Sequence, residues 1–497
     1  MKAAVAGSGP NGLAAAIVLA QAGLEVDVYE AQPTIGGGCR TTHLTLPGFH
    51  HDFGSAVHPF GLGSPFFSSL GLERYGLQWI HSPAALAHPL DDGTAAILWQ
   101  DLATTAEALG PDGPAWRALM EPFAARWTDF APDILGPAIH IPRHPFLLAR
   151  FGRNAVLPAS TVARTHFSGP HARALFTGVS AHSFLSLHSA LSASFGMVLA
   201  IAAHAVGWPI PRGGAQSLAD ALAACLADLG GRIHTSSPIH RLADLTDANL
   251  ILCDITPRQL LQLTGETSAG SAQPTALTPA YRRQLAAYRY GPGVFKVDYA
   301  LSAPIPWTAP DCARAATVHL GGTMEDIAAS EASMSSGRTA DRPFVLLSQP
   351  TLFDPSRAPA GRHIAWAYCH VPNGCTEDML PRLEAQIERF APGFARTVLA
   401  RHVSTPATLE AANPNLIGGD IGGGAITLRQ FVLRPTPGEY RTSAPNVYLC
   451  SSSTPPGGGV HGMCGYHAAR TALRDLARKK IRGPRPKAMT PKCSLSV

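Results

Sequence analysis

The stretch KAAVAGSGPNGLAAAIVLAQAGLEVDVYE, from Lys2 to Glu30, decides the fold. Lys2 to Ala6 is a short apolar run. Gly7-Ser8-Gly9-Pro10-Asn11-Gly12 fits GxGxxG, and an Ala/Leu/Val-rich segment from Leu13 to Gln21 stops at Gly23. Leu24 to Tyr29 alternate as a strand does, and Glu30 closes the run. The order is strand, glycine turn, helix, strand, acid. In such a unit the first glycine permits the tight turn. The second lets the backbone approach a pyrophosphate, and the third lets helix and strand pack closely. The helix N-terminus offers free N–H groups and a positive dipole end to phosphate. Glu30 stands where an adenosine ribose would donate hydrogen bonds. The stretch therefore predicts a dinucleotide site.

Working outward, Gly36-Gly37-Gly38-Cys39-Arg40 is a second glycine turn just past the acid, which suits a loop beside the same cofactor with Arg40 near its phosphates. Pro47-Gly48-Phe49 reads as a hairpin tip. In Asp52 to Pro59, small residues such as Ser55 and Ala56 let the backbone lie against a flat ring. Residues 100–205 have helical composition and many prolines. Ala215 to Leu229 is an amphipathic helix stopped by Gly230-Gly231, followed by a short strand leading to Ile239 and a buried strand at Leu250 to Cys253. Val294 to Leu301, Phe344 to Leu347 and His363 to His370 read as strands, Asp378 to Phe390 as a helix, and residues 265–280 as a surface loop.

At the far end, Val447 to Cys450 is a strand running into Ser453-Thr454-Pro455-Pro456-Gly457-Gly458-Gly459-Val460-His461-Gly462-Met463, with a helix from about Cys464 to Ala477. A long cofactor needs two such turns. FAD is long enough: the first turn takes its pyrophosphate, and the second its ribityl chain and isoalloxazine. NAD alone leaves the second turn unexplained.

At 497 residues the chain is long enough for two or three domains. Hydrophobic residues are 46% and charged residues 15%, which favours a globular enzyme with apolar cavities. The net charge of +5 is localised, with seven basic residues and no acid between Leu476 and Val497. No basic stripe interleaves with aromatics, so nucleic acid is not an expected partner. The tail could make a peripheral contact with anionic lipid, or be a solvated terminus. The nine cysteines are scattered without a CxxC pair, so no disulfide framework or metal site is expected. The turn at Gly7 interrupts any signal-peptide pattern and no apolar run is long enough for a membrane span, so a cytoplasmic location is the default. Phe195 to Val206 reads as a buried helix. The number of subunits is left open.

Seven segments carry a family resemblance: GSGPNGL from Gly7, GGGCRT from Gly36, YGPGVFKVDYAL from Tyr290, LFDPSRAPAG from Leu352, AWAYCHVPNG from Ala365, NPNLIGGDIGGGA from Asn413 and STPPGGGVHGMCGYHAA from Ser453. In this order they resemble the phytoene-dehydrogenase-like FAD oxidoreductases, which include carotenoid desaturases and retinol saturases, and most of all the branch of pyridine-nucleotide-disulfide-oxidoreductase-domain-containing protein 2. The resemblance implies a two-lobed α/β fold: a Rossmann-like FAD domain of the glutathione-reductase/amine-oxidase type, a mixed-sheet substrate domain and a helical insertion. The corresponding boundaries are 1–99, 206–262 and 441–478 for the FAD domain, 100–205 for the insertion or lid, 263–440 for the substrate domain, and 479–497 for a basic, disordered tail.

The resemblance also implies hydride transfer between an apolar substrate and flavin N5. The substrate-side motifs depart from the carotenoid desaturases, with Asp52-Phe53-Gly54-Ser55-Ala56 in place of an acid-Gly-Pro-Thr pattern and His461-Gly462-Met463 in place of an aliphatic-Pro-Gly pattern. His461, in the second turn, is the first candidate for a polar group at the flavin, against a histidine bonded to backbone; His58 is the second. Lys296 and Asp298 either face the cavity or pair on an exposed strand face, and Tyr368 and His370 either line the pocket or pack in the core. An FAD desaturase, saturase or isomerase, an FAD amine oxidase, and a flavin-free escort protein of the same fold are the three functional readings.

Overall fold

The computed structural model describes residues 1–245, 247–265 and 275–481. The middle of the expected surface loop and nearly all of the expected basic tail lie outside the described residues.

Strand Lys2–Ala6 is buried from Ala3 onward and runs into helix Pro10–Gln21. Gly7 turns the chain at φ +97°, in the left-handed region that favours glycine. A Cβ on Gly12 would stand 2.1 Å from the Gly7 carbonyl oxygen, so the turn closes only without a side chain there. The helix is apolar nearly all round and buried from Asn11 to Ala20, as a helix enclosed on every side should be. It lies between a five-stranded sheet and the last helix, Met463–Ile481. Gly465 makes that closeness possible: a Cβ there would fall 1.8 Å from the Asn11 carbonyl oxygen. The two ends of the chain meet at this contact.

The five-stranded sheet is parallel throughout, in the order Val447–Leu449, Leu250–Cys253, Lys2–Ala6, Glu25–Tyr29, Arg232–His234. Its strands come from three separated stretches of chain. A second, seven-stranded sheet runs in the order Val398–Ser404, Gly293–Leu301, His363–Val371, Val345–Ser348, Thr317–Leu320, Ala84–Pro89, Ala95–Trp99. Its pairings are antiparallel except for one parallel junction, where Val318 faces Ala87. Residues 84–99, read from the sequence as part of the FAD domain, thus extend the substrate-domain sheet instead. Their partner strand lies more than two hundred residues away, and a fully buried run such as Ala84–Pro89 carries no mark of which sheet it joins.

Between the two sheets in sequence, helices fill the region from Leu102 to Val206. Three of its prolines are explained by position: Pro114, Pro145 and Pro170 stand in the first turns of their helices, where a missing N–H costs nothing, whereas Pro122 and Pro132 lie inside theirs. Helix Ser192–Val206 is the centre of this layer, packing on four of its neighbours. The two-lobed α/β architecture expected from the sequence is the one observed.

Candidate functional site

A cavity of about 990 Å³ runs between the two sheets and under the helical layer. At one end its wall is Gly7 to Asn11, Glu30, Gly37, Gly38 and Arg40. Glu30 is buried, and its carboxylate accepts from the Ser8 N–H at 3.0 Å, the Ser8 hydroxyl at 2.6 Å and the Gln32 N–H at 2.9 Å. These bonds fix its orientation at the end of strand Glu25–Tyr29. Arg40 is held by the Gly37 and Ala412 carbonyls, at 2.9 and 3.1 Å, and lies over the Phe53 ring.

Asp254 is a site residue that the sequence did not single out. It follows strand Leu250–Cys253, lines the cavity, and accepts the Gly12 N–H at 2.9 Å. Burial pushes its carboxyl up to about 7; the Gly12 N–H works against that rise and the charge of Glu30 adds to it. A strand ending in an acid was the available signal. What it faces across the sheet was not readable. The buried Asn11 Oδ1, also on the cavity wall, has no hydrogen-bond partner among the described residues. The cradle fits a dinucleotide diphosphate: its glycines leave the space that side chains would fill, a Cβ on Gly37 standing 3.2 Å from the Gly9 Cα. Glu30→Ala is expected to weaken FAD retention about tenfold or more, because buried ribose hydroxyls lose their acceptor. Ultrafiltration of the holoprotein followed by visible absorbance checks this, and unchanged retention refutes it.

Ser55, Ala56, Ile239, Gly459, Val460, His461 and His58 also line the cavity. Four expected contact residues do not. Gly12 serves the turn itself. Ser453 is buried beneath the wall, its hydroxyl donating to the Gly423 carbonyl at 2.9 Å. Gly462 packs on Phe67 and Ala14. Met463 is buried, and its N–H donates to His461 Nδ1 at 3.0 Å.

That last bond changes the reading of His461. With Nδ1 an acceptor, Nε2 carries the proton, and burial pushes the ring's pKa down to about 4. His461 is a neutral cap on helix Met463–Ile481, which corrects its standing as the first candidate for proton transfer. His58 is the opposite case. It is fully buried and faces the cavity; the Ser55 backbone is the one hydrogen-bonding group felt by its ring, and no side chain among the described residues bonds to either nitrogen. Burial holds its pKa at about 4, so it is neutral at pH 7 with a free lone pair.

At the other end the wall is the seven-stranded sheet. Cross-strand register places His319, Leu346, Tyr368 and Lys296 in one row, and the cavity is lined there by Leu346, Tyr368, Lys296 and Trp366. Lys296 and Asp298 do pair, at 2.6 Å, but the pair is buried rather than on an exposed face. Lys296 also donates to the Asp52 carbonyl at 3.1 Å. Tyr368 lines the pocket; His370 does not, and bonds to Glu331 at 2.9 Å. Among the described residues no cluster of His, Cys, Asp and Glu could hold a metal ion, and no helix is long and apolar enough to cross a membrane.

Known proteins agree with this geometry. The pyridine nucleotide-disulfide oxidoreductase domain-containing protein 2 of Rattus norvegicus is 27% identical over 556 aligned residues, covering 95% of this chain and 93% of that protein. Its Mus musculus counterpart is 27% identical over 558, with the same coverage. Among solved structures, an oxidoreductase from Methanosarcina mazei has a TM-score of 0.60 at 16% identity, covering 95% of this chain and 100% of that one. A putrescine oxidase variant has a TM-score of 0.59 at 17% identity, covering 96% and 99%. These two likenesses are of fold. Residues 11–368, well over half of the chain, match the family described as flavin containing amine oxidoreductase; the chain belongs to that family and is an FAD-dependent oxidoreductase.

Proposed function

We propose that the enzyme desaturates an apolar, isoprenoid-, lipid- or polyketide-like substrate, or runs the same step as a saturation or isomerisation. One observation carries this reading: beyond the dinucleotide end the cavity wall is mostly apolar and aromatic, and the Lys296 ammonium, the one among the described lining residues, lies 5.6 Å from the centre of the Trp366 ring. Asp133, the remaining carboxylate of that wall, is occupied by the backbone N–H groups of Arg143 and His144. Among the described residues a cationic substrate finds no free counter-charge there, while an alkyl or polyene chain meets a mainly compatible surface, interrupted by His182 and Thr317.

When bound, the flavin supplies the two-electron acceptor. The chain's own groups enclose and orient the substrate and exclude water. Hydrogen leaves one carbon as a hydride with its electron pair and the neighbouring carbon as a proton. His58, a neutral ring with one nitrogen lone pair and no side-chain partner among the described residues, is the group assigned to take that proton.

Amine oxidation is the second reading, favoured by the stacked Trp366 and Tyr368 rings, 5.6 Å apart and inclined by 17°. The nearby Lys296 charge opposes an ammonium in that place. The discriminating experiment is anaerobic mixing of the holoprotein with detergent-dispersed polyenes and isoprenoids on one side and with primary and secondary amines on the other, following the flavin absorbance. Bleaching by an apolar substrate supports the proposal; bleaching by amines alone overturns it.

A further inference from the structure

Residues 134–156 have two faces. On the inside, Leu148, Phe151 and Ala155 of helix Pro145–Ala155 line the cavity. On the outside the same segment projects Ile139, Ile141, Phe146 and Val156, with 64, 95, 90 and 52% of their surface exposed. Val156 does both, lining the cavity and reaching solvent, so the cavity opens at this surface. The projecting loop is pinned from beneath: Asp133 accepts the Arg143 and His144 N–H groups at 3.0 and 3.1 Å and the His140 ring at 3.3 Å. The isoleucines are therefore held outward. Soluble proteins rarely leave large apolar side chains grouped this way without a partner.

The charge around the patch says what that partner is. No Asp or Glu occurs from Ile134 to Ala219, whereas Arg143, Arg150 and Arg153 stand exposed among the projecting apolar groups. The exposed acid just before the segment, Asp129, is already bonded to Arg126 at 2.8 Å and lies 3.5 Å from His144. A second copy of this chain is a poor match. A two-fold pairing would set these arginines against their own copies with no acid in the stretch to separate them. A phospholipid surface offers both things the patch lacks, phosphate oxygens for the guanidinium groups and an acyl layer for isoleucine and phenylalanine.

We propose that residues 139–156 dock the enzyme on the surface of an anionic lipid bilayer, with the cavity mouth beside Val156 turned towards the lipid. Docking is read without turnover, so it stands or falls independently of the substrate class proposed above.

The test is flotation of the full-length holoprotein with phosphatidylcholine vesicles, with and without phosphatidylglycerol. The protein is expected to float with the anionic vesicles and to come off as salt is raised. Ile141→Asp/Phe146→Asp should lower the partition coefficient roughly a hundredfold, with flavin spectrum and circular dichroism unchanged because both side chains are exposed. Arg143→Gln, Arg150→Gln and Arg153→Gln should each lower it about fivefold, and only on anionic vesicles. A full-length variant with Arg482→Gln, Arg485→Gln, Lys487→Gln and Lys492→Gln should float like the wild type. Failure of the wild type to float, flotation of the Ile141→Asp/Phe146→Asp variant at the wild-type level, or loss of flotation in the tail variant alone overturns the proposal. So does a wild-type dimer that this double variant converts to a monomer while its vesicle binding persists.

Discussion

Brought from pH 7 towards pH 5, the protein is expected to unfold at far milder acidity than carboxylate titration would require. The cause is a set of histidines that burial keeps neutral. The pKa is pushed down to about 4 at His58, His88, His204, His461 and His467, to about 3 at His51 and His182, and well below its usual value at His319. In the unfolded chain each of these rings takes a proton near the ordinary value of 6.5. Between pH 6.5 and about 4 the unfolded state therefore binds more protons than the native one. Stability is full above 6.5 and is lost as the pH falls. Each group contributes roughly 1 kcal/mol per pH unit in that window. Eight together, with nothing opposing them, would consume the roughly 5–15 kcal/mol of a typical fold within one to two pH units.

Asp254 acts in the other sense. Its carboxyl, raised to about 7, binds its proton in the native state first and adds stability as the pH falls from 7 towards 4. One such group offsets one histidine, and the raised carboxyls of Asp298, Asp420 and Glu439 act in the same sense, so the eight histidines outnumber four opposing carboxyls. Urea midpoints by circular dichroism at pH 7.5, 6.5 and 5.5 should fall steeply across the series. Equal midpoints at 7.5 and 5.5 would mean that these rings are hydrated or protonated in the fold.

The parts of the site that were legible in the sequence are those built from contiguous residues. Gly7 to Gly12 and Glu30 form a turn whose geometry is set within one βα unit, so residue type and spacing suffice. The turn at the far end was equally visible, but the use of its side chains was not. His461 was placed correctly on the wall, yet whether its ring faces a ligand or caps a helix depends on a single bond to the Met463 N–H. His58 was ranked below it because it stands beside the small-residue turn rather than in the glycine turn, and sequence does not show which partners its ring nitrogens find. The strand pattern separated Lys296 and Asp298 from Phe295 and Val297 correctly. Both faces of that strand turned out to be buried, which alternation cannot distinguish from one buried face when the inward groups include a salt bridge. Pairing across long sequence separations was silent altogether, which is why residues 84–99 were placed in the FAD domain rather than with the seven-stranded sheet.

Lys296→Met is expected to be among the most destabilising single changes away from the glycine turns. Asp298 is fully buried, and burial raises its pKa even with the Lys296 ammonium beside it. Without that ammonium the cation-forming groups beside it are His51, 3.7 Å away and itself kept neutral by burial, and His402 across the neighbouring strand, whose charge works to lower the Asp298 pKa. An uncompensated buried carboxylate costs about 3–5 kcal/mol, whereas an apolar replacement of both partners can be nearly neutral. Lys296→Met/Asp298→Leu should therefore regain most of the loss.

The pair also ties two parts of the site together. Lys296 donates to the Asp52 carbonyl, and the Asp52 carboxylate is held by Arg357 at 2.9 Å, the Thr41 hydroxyl at 3.0 Å and the Ala215 N–H at 2.8 Å. This knot anchors the segment that continues as Phe53 to His58 along the cavity wall. Lys296→Met should accordingly release FAD more readily than the wild type, and the double variant should remain weaker in FAD retention than in stability, because the bond to the Asp52 carbonyl is not restored. Thermal midpoints and FAD retention measured on the same three proteins separate these effects. A loss below about 1 kcal/mol in Lys296→Met would show that Asp298 is protonated in the fold, as a group so deeply buried can be. Equal recovery of stability and FAD retention in the double variant would show that the wall from Phe53 to His58 is held without the lysine.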